Sequence, residues 1–196
     1  MVIFMENRTL ARRLGKGLIT HIVDSTALIT ATNPLLSALE VTEGGMSDDV
    51  SINARMTASA LAYVGLAYAL SKGRDMSKKV FKIVDQTKER VKQLHDAAYL
   101  AAFNVVFGPA LYLFSGETDA NKIAAGTAIL VGTGALVGGP VGYSIDTFRE
   151  LTGIQSSERV PTIIRNKSPT VKRGIAGLLT IASVAAMAGI YAMTSQ

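Results

Sequence analysis

Two aspartates, Asp24 and Asp96, stand at the start of long, nearly uncharged stretches of the chain. A carboxylate in apolar surroundings either pairs with a cation or exchanges a proton, because burial penalises its charged form. Proton exchange is the chemistry of coupled transport. Each aspartate is followed by an asparagine, Asn33 or Asn104, and then by a proline, Pro34 or Pro109. The asparagines, with Thr26, Thr30 and Thr32, can hydrogen-bond a small polar solute or can bond helix to helix. Asp24, Asn33, Asp96 and Asn104 are therefore the candidates for solute or proton contact. The tyrosines, Tyr143 among them, read as interfacial or packing aromatics. His21 and His95 lie close to the two aspartates, but they read as residues of a membrane interface, and no metal or cofactor is expected. No P-loop, G-x-S-x-G elbow or H-E-x-x-H motif occurs, and the chain has no cysteine to act as a nucleophile. An enzyme is not expected.

The elements that must position these residues follow from where charge is missing. The 196 residues are 48% hydrophobic, which is ordinary, but only 18% charged, against about 25% in an average soluble chain. The deficit lies in five windows, 17–39, 54–71, 97–115, 123–145 and 174–193, whose only charged side chains are Asp24 and Arg55. Each window matches the roughly 17–25 apolar residues of a bilayer-spanning helix. A soluble bundle would show a polar stripe on its helices, and 123–145 and 174–193 have none. The expected fold is all-α, a single polytopic membrane bundle of five transmembrane helices.

Basic residues fix an orientation. Arg8, Arg12, Arg13 and Lys16 precede the first window, the loop at 72–96 holds eight more and the loop at 146–173 holds six. The loop at 40–53 has none, and that at 116–122 has one. Lysine and arginine accumulate on the cytoplasmic side, so the expectation is an inner-membrane protein with its N-terminus inside and its C-terminus outside. The net charge of +5 is then a topology signal, and no nucleic-acid partner is expected. Apolar residues at helical spacing between Met76 and Leu94, with lysines between them, predict a basic amphipathic helix over 74–94 on the anionic inner leaflet. Pro169 after Ser168 predicts the start of the last helix.

The chain also repeats itself. Residues 21–75 and 95–149 share the order aspartate, asparagine, proline, acidic glycine-containing loop, tyrosine, then arginine and aspartate in either order. Two spans per copy give both copies the same orientation, related by an axis along the membrane normal. Gly134, Gly138 and Gly142 form a close-packing face. Pro34, Pro109 and Pro140 predict kinks that free backbone carbonyls toward a cavity. Five short helices enclose little volume, so a homo-oligomer or a larger membrane complex is expected.

The segments HIVDSTALITATNP, GGMSDDVSINAR, ALSKGRD, LHDAAYLAAFNVVFGPALY, GETD and GGPVGYSIDTFREL, within about residues 21–152, resemble the small bacterial L-alanine exporter family. Asp24, Arg55, Asp75, Asp96, Pro109, Tyr143 and Asp146 match its pattern, and the resemblance implies Tyr143 and Asp146 as further solute or proton contacts, with Arg55, Asp75, Pro109 and the repeat's Arg149 as supporting residues. The last window and the loop before it have no counterpart in that four-helix pattern. The resemblance implies proton-driven export of a small neutral amino acid. The alternative is a non-transporting scaffold or a subunit of a larger membrane complex.

Overall fold

A computed structural model describes the backbone of residues 2–194 and the side chains of residues 15–194. Arg8, Arg12 and Arg13, which carry part of the orientation signal, lie outside the described side chains. The chain is helical throughout, with no strand among the described residues: α1 (Val2–Thr42), α2 (Asp48–Leu61), a π-helical turn (Ala62–Leu66), α3 (Ala67–Val80), α4 (Glu89–Phe114), α5 (Ala120–Thr152), α6 (Thr162–Arg165) and α7 (Pro169–Thr194). Three of these, α4, α5 and α7, are long and apolar enough to cross a membrane. On α7 only Ala176 is buried, while Leu178, Ile181 and Val184 stand exposed. A helix that apolar and that bare needs lipid around it. The protein is a helical membrane protein.

Local chemistry sets the helix ends. Ser47 caps α2, ahead of Asp48 and Asp49 in its first turn, where negative charge favours the positive end of the helix dipole. Asp119 accepts hydrogen bonds from the backbone N–H groups of Asn121 and Lys122 and so starts α5. Gly153, at φ 77°, ends it, with the N–H of Ile154 returning to the Arg149 carbonyl. The helices therefore outrun the apolar windows. Their polar ends carry Asp96, Asp146 and Arg149.

The stretch 54–71 is not one continuous α-helix. It breaks at Gly65, whose φ of 150° is non-helical. Two backbone carbonyls beside the interruption accept hydrogen bonds from α1. Ser25 Oγ donates to the Ala62 carbonyl at 2.9 Å, and His21 Nε2 donates to that of Tyr63 at 2.6 Å. Only glycine adopts such a φ without strain. Gly65→Ala should therefore destabilise the protein by about 1–3 kcal/mol, read as a lowered midpoint of unfolding in detergent. At the three prolines, by contrast, the helices are not interrupted: α1, α4 and α5 run on through Pro34, Pro109 and Pro140.

The helix expected over 74–94 is also corrected. α3 stops at Val80, residues 81–88 turn with Lys82 at φ 53°, and α4 starts at Glu89. The chain must reverse here because α3 and α4 are tied to each other. Ser77 Oγ meets His95 Nε2 at 2.8 Å, and Arg74 binds Asp96. The periodic apolar residues Met76, Val80, Phe81, Val84, Val91 and Leu94 are exposed around this hairpin.

Two apolar clusters hold the bundle. One gathers Val23, Leu70, Leu100, Ile145 and Phe148, and the other Leu36, Met46, Leu111, Tyr112 and Leu130. Between α4 and α5 the spacing is set by glycine. A methyl group on Gly138 would run into the Ala97 backbone, and one on Gly142 into the Asp96 carboxylate. Gly134 faces Asn104 in the same row. The three glycines thus serve packing within one chain.

Candidate functional site: three arginines and a cavity

Three buried arginines organise the polar interior. Arg149, near the end of α5, clasps Asp24 of α1 with both prongs, Nε to Oδ1 at 2.7 Å and Nη2 to Oδ2 at 2.6 Å. Its third nitrogen lies 3.5 Å from the half-exposed Asp75. Arg74 of α3 clasps Asp96 of α4 in the same way, at 2.8 and 2.9 Å, and reaches Asp146 of α5 at 3.3 Å. Bidentate arginine–carboxylate pairs are the strong, oriented kind. Arg159, in the loop after α5, joins the second cluster at 2.8 Å from Asp146 and 3.2 Å from Asp96, and bonds Glu89 at 2.5 Å. Its guanidinium lies 5.8 Å from the centre of the Tyr143 ring.

The electrostatics follow from these neighbours. Burial works against the charge of Arg159, but the Glu89 and Asp146 carboxylates outweigh it and raise its pKa. A polar recess of about 120 Å³ lies among these groups, lined by Asp75, Asp146, Arg149 and Arg159.

The third arginine, Arg55 of α2, sits at the other end of the bundle. It donates through Nη2 alone to Glu40 Oε1 at 2.5 Å. Glu40 also accepts from Ser51 Oγ at 2.8 Å and from the Tyr112 hydroxyl at 2.9 Å, and is fully buried. Along α1, at 1.5 Å per residue, Glu40 lies ~10 Å beyond Asn33, and Asp24 ~13 Å before it.

Between these levels lies a cavity of about 70 Å³, formed by α1, α2, the broken turn, α4 and α5. One water needs roughly 10–15 Å³, so the space holds a few waters or a small solute. Its lining is mostly apolar, leucine above all, with Asn33, Asn104, Thr32, Thr133 and Arg55 as the polar groups. Asn33 Nδ2 donates to Ser59 Oγ at 3.0 Å, and Asn104 Nδ2 to the Leu130 carbonyl at 2.7 Å. Each amide is thereby fixed in orientation.

Of the residues singled out by sequence, Asn33, Asn104 and Arg55 meet at the cavity. Asp24, Asp96, Asp146, Asp75 and Arg149 do not line it and instead form the two clusters with Arg74. Tyr143 stacks with Arg159, and Pro109 lies within α4. Sequence reasoning missed Glu40, Ser51 and Tyr112 as a site, and it missed Arg159. Arg74 carried a signal, since the expected repeat sets it in register with Arg149. The fold and the site define a helical membrane protein with a small, largely apolar cavity, holding a few polar groups, between buried ion-pair clusters. No protein-family profile, no curated protein and no solved structure matches this chain.

Proposed function

We propose that the protein is a carrier for a small polar solute, which occupies the cavity at Asn33 and Asn104. The observation that carries this reading is that cavity itself: a small recess in the bundle with a few polar groups set in an apolar lining, beside a helix break, with charged clusters above and below it. Carriers bind their cargo near the bilayer midplane, where interrupted helices leave room. The crossings are α1, the broken α2–α3 unit, α4, α5 and α7. The basic loops set the N-terminus inside and the C-terminus outside the inner membrane.

The ion pairs favour the internal repeat. Arg149, from the second half, bonds Asp24 and Asp75 of the first. Arg74, from the first half, bonds Asp96 and Asp146 of the second. Each half thus holds the other by one arginine on two aspartates, as a twofold axis along the membrane normal requires. The resemblance of residues 21–152 to the L-alanine exporters suggests a neutral amino acid as cargo, outward movement and proton coupling. The lysine-rich α3–α4 hairpin suits anionic lipid.

Proteoliposomes holding the purified protein should move labelled L-alanine under an imposed proton gradient. Asn33→Ala and Asn104→Ala should each lower the flux about tenfold or more, the order for losing an orienting polar contact in a closed site, while leaving the protein folded. Absence of flux in the wild type, or full flux in both variants, would remove the basis of this reading.

A further inference from the structure

We propose that Arg55 is the anchor for a carboxylate on the carried solute, and that Glu40 occupies that anchor until the solute arrives. This rests on the carrier reading and names the chemistry of its cargo. Arg55 is the only ionisable residue lining the cavity among the described residues. It is bound differently from the other two buried arginines. Arg74 and Arg149 each spend both prongs on one aspartate. Arg55 gives Glu40 a single nitrogen, and its Nε has no partner. A guanidinium with part of its fork unused is matched to a second carboxylate.

Glu40 does not depend on Arg55 alone. Ser51 and Tyr112 also donate to it, and Ser51 is in turn 3.0 Å from the Tyr191 hydroxyl of α7. It therefore keeps two donors when Arg55 turns toward the cavity. Two carboxylates on one guanidinium is an arrangement this chain already uses, at Arg149 with Asp24 and Asp75 and at Arg74 with Asp96 and Asp146. The rest of the lining, apolar with two oriented amides, suits a short apolar body beyond the carboxylate. Glu40 thus acts as a built-in competitor for the site, and α7 steadies it through Tyr191.

The test compares acids with their amides on the reconstituted protein, using L-alanine and propionate against L-alaninamide and propionamide. Binding is followed by ligand-induced thermal stabilisation, and flux is followed separately. The acids should bind and the amides should bind about tenfold more weakly or not at all. Glu40→Gln should tighten binding of propionate, because it removes the competing charge. Its partner control is the Glu40→Gln/Arg55→Gln double variant, which leaves no buried charge unpaired; it should stay folded and lose the preference for acids. Equal binding of acid and amide by the wild type would overturn the proposal, as would an acid preference that survives in the double variant. A wild type that binds acids but moves none contradicts the carrier reading and leaves the anchor in place.

Discussion

Replacing Asp24 by alanine is expected to cost about 3–5 kcal/mol of folding stability, the largest effect of any single substitution considered. The carboxylate is buried and takes both prongs of Arg149. Its removal leaves a guanidinium inside the bundle with only Asp75, at 3.5 Å and 41% exposed, and Gln155, at 3.4 Å. The penalty is the cost of an uncompensated buried charge rather than the net worth of the pair. It follows that removing both charges should be far cheaper. Asp24→Leu combined with Arg149→Met should recover most of the loss, since apolar residues of similar volume replace a buried ion pair at little cost. Equilibrium unfolding in mixed detergent micelles measures both. A loss below about 1 kcal/mol for Asp24→Ala is the range of solvent-exposed pairs and would contradict the burial described.

A second large effect is expected at Gly138. Its missing side chain brings α5 against the backbone of α4, and an added Cβ would lie 2.6 Å from the Asp96 carbonyl oxygen as well as against Ala97. Neither is the end of a flexible side chain, so the helices themselves must separate. Gly138→Ala should cost about 1–3 kcal/mol, and Gly138→Leu more. Separation here would also disturb Asp96 and its clasp by Arg74. Gly132, on the same helix with nothing within 4 Å of its would-be Cβ, is the matched control. Gly132→Ala should change stability by less than about 0.5 kcal/mol. Equal effects at the two sites would mean that helix propensity, not interhelical contact, dominates.

The helical membrane class was legible in the placement of charge, because a bilayer-crossing helix must be long and apolar and leaves that mark in any single sequence. The glycine row at Gly134, Gly138 and Gly142 was legible for a similar reason: close backbone approach admits no larger residue. The helix break was not. It falls at Gly65, one glycine in an apolar run, while the three prolines that ordinarily signal a break sit inside continuous helices. The contacts that accompany it are tertiary: His21 and Ser25 of α1 bond the Tyr63 and Ala62 carbonyls at the break.

The site was half legible. Asn33 and Asn104 were found by the repeat, and both face the cavity. Asp24 and Asp96 were found as intramembrane carboxylates, but their partners come from far along the chain. Arg149 lies 125 residues after Asp24, and no local pattern pairs them. The apolar window ends at residue 39, which sets Glu40 in the loop at 40–53. α1 continues to Thr42, and that added turn swings Glu40 into the bundle. The 74–94 periodicity misled because a helical hairpin and one long helix can carry the same spacing over short stretches.

Access to the cavity from both sides of the membrane is the central claim of a carrier, and the sequence makes it easy to measure. The chain has no cysteine, so a single Thr133→Cys variant has no background reactivity to remove. Thr133 lines the cavity and is buried. A membrane-impermeant thiol reagent should label it slowly in right-side-out and in inside-out vesicles alike, and bound solute should slow labelling from both sides. Failure to label from either face would contradict the account, and so would labelling confined to one face.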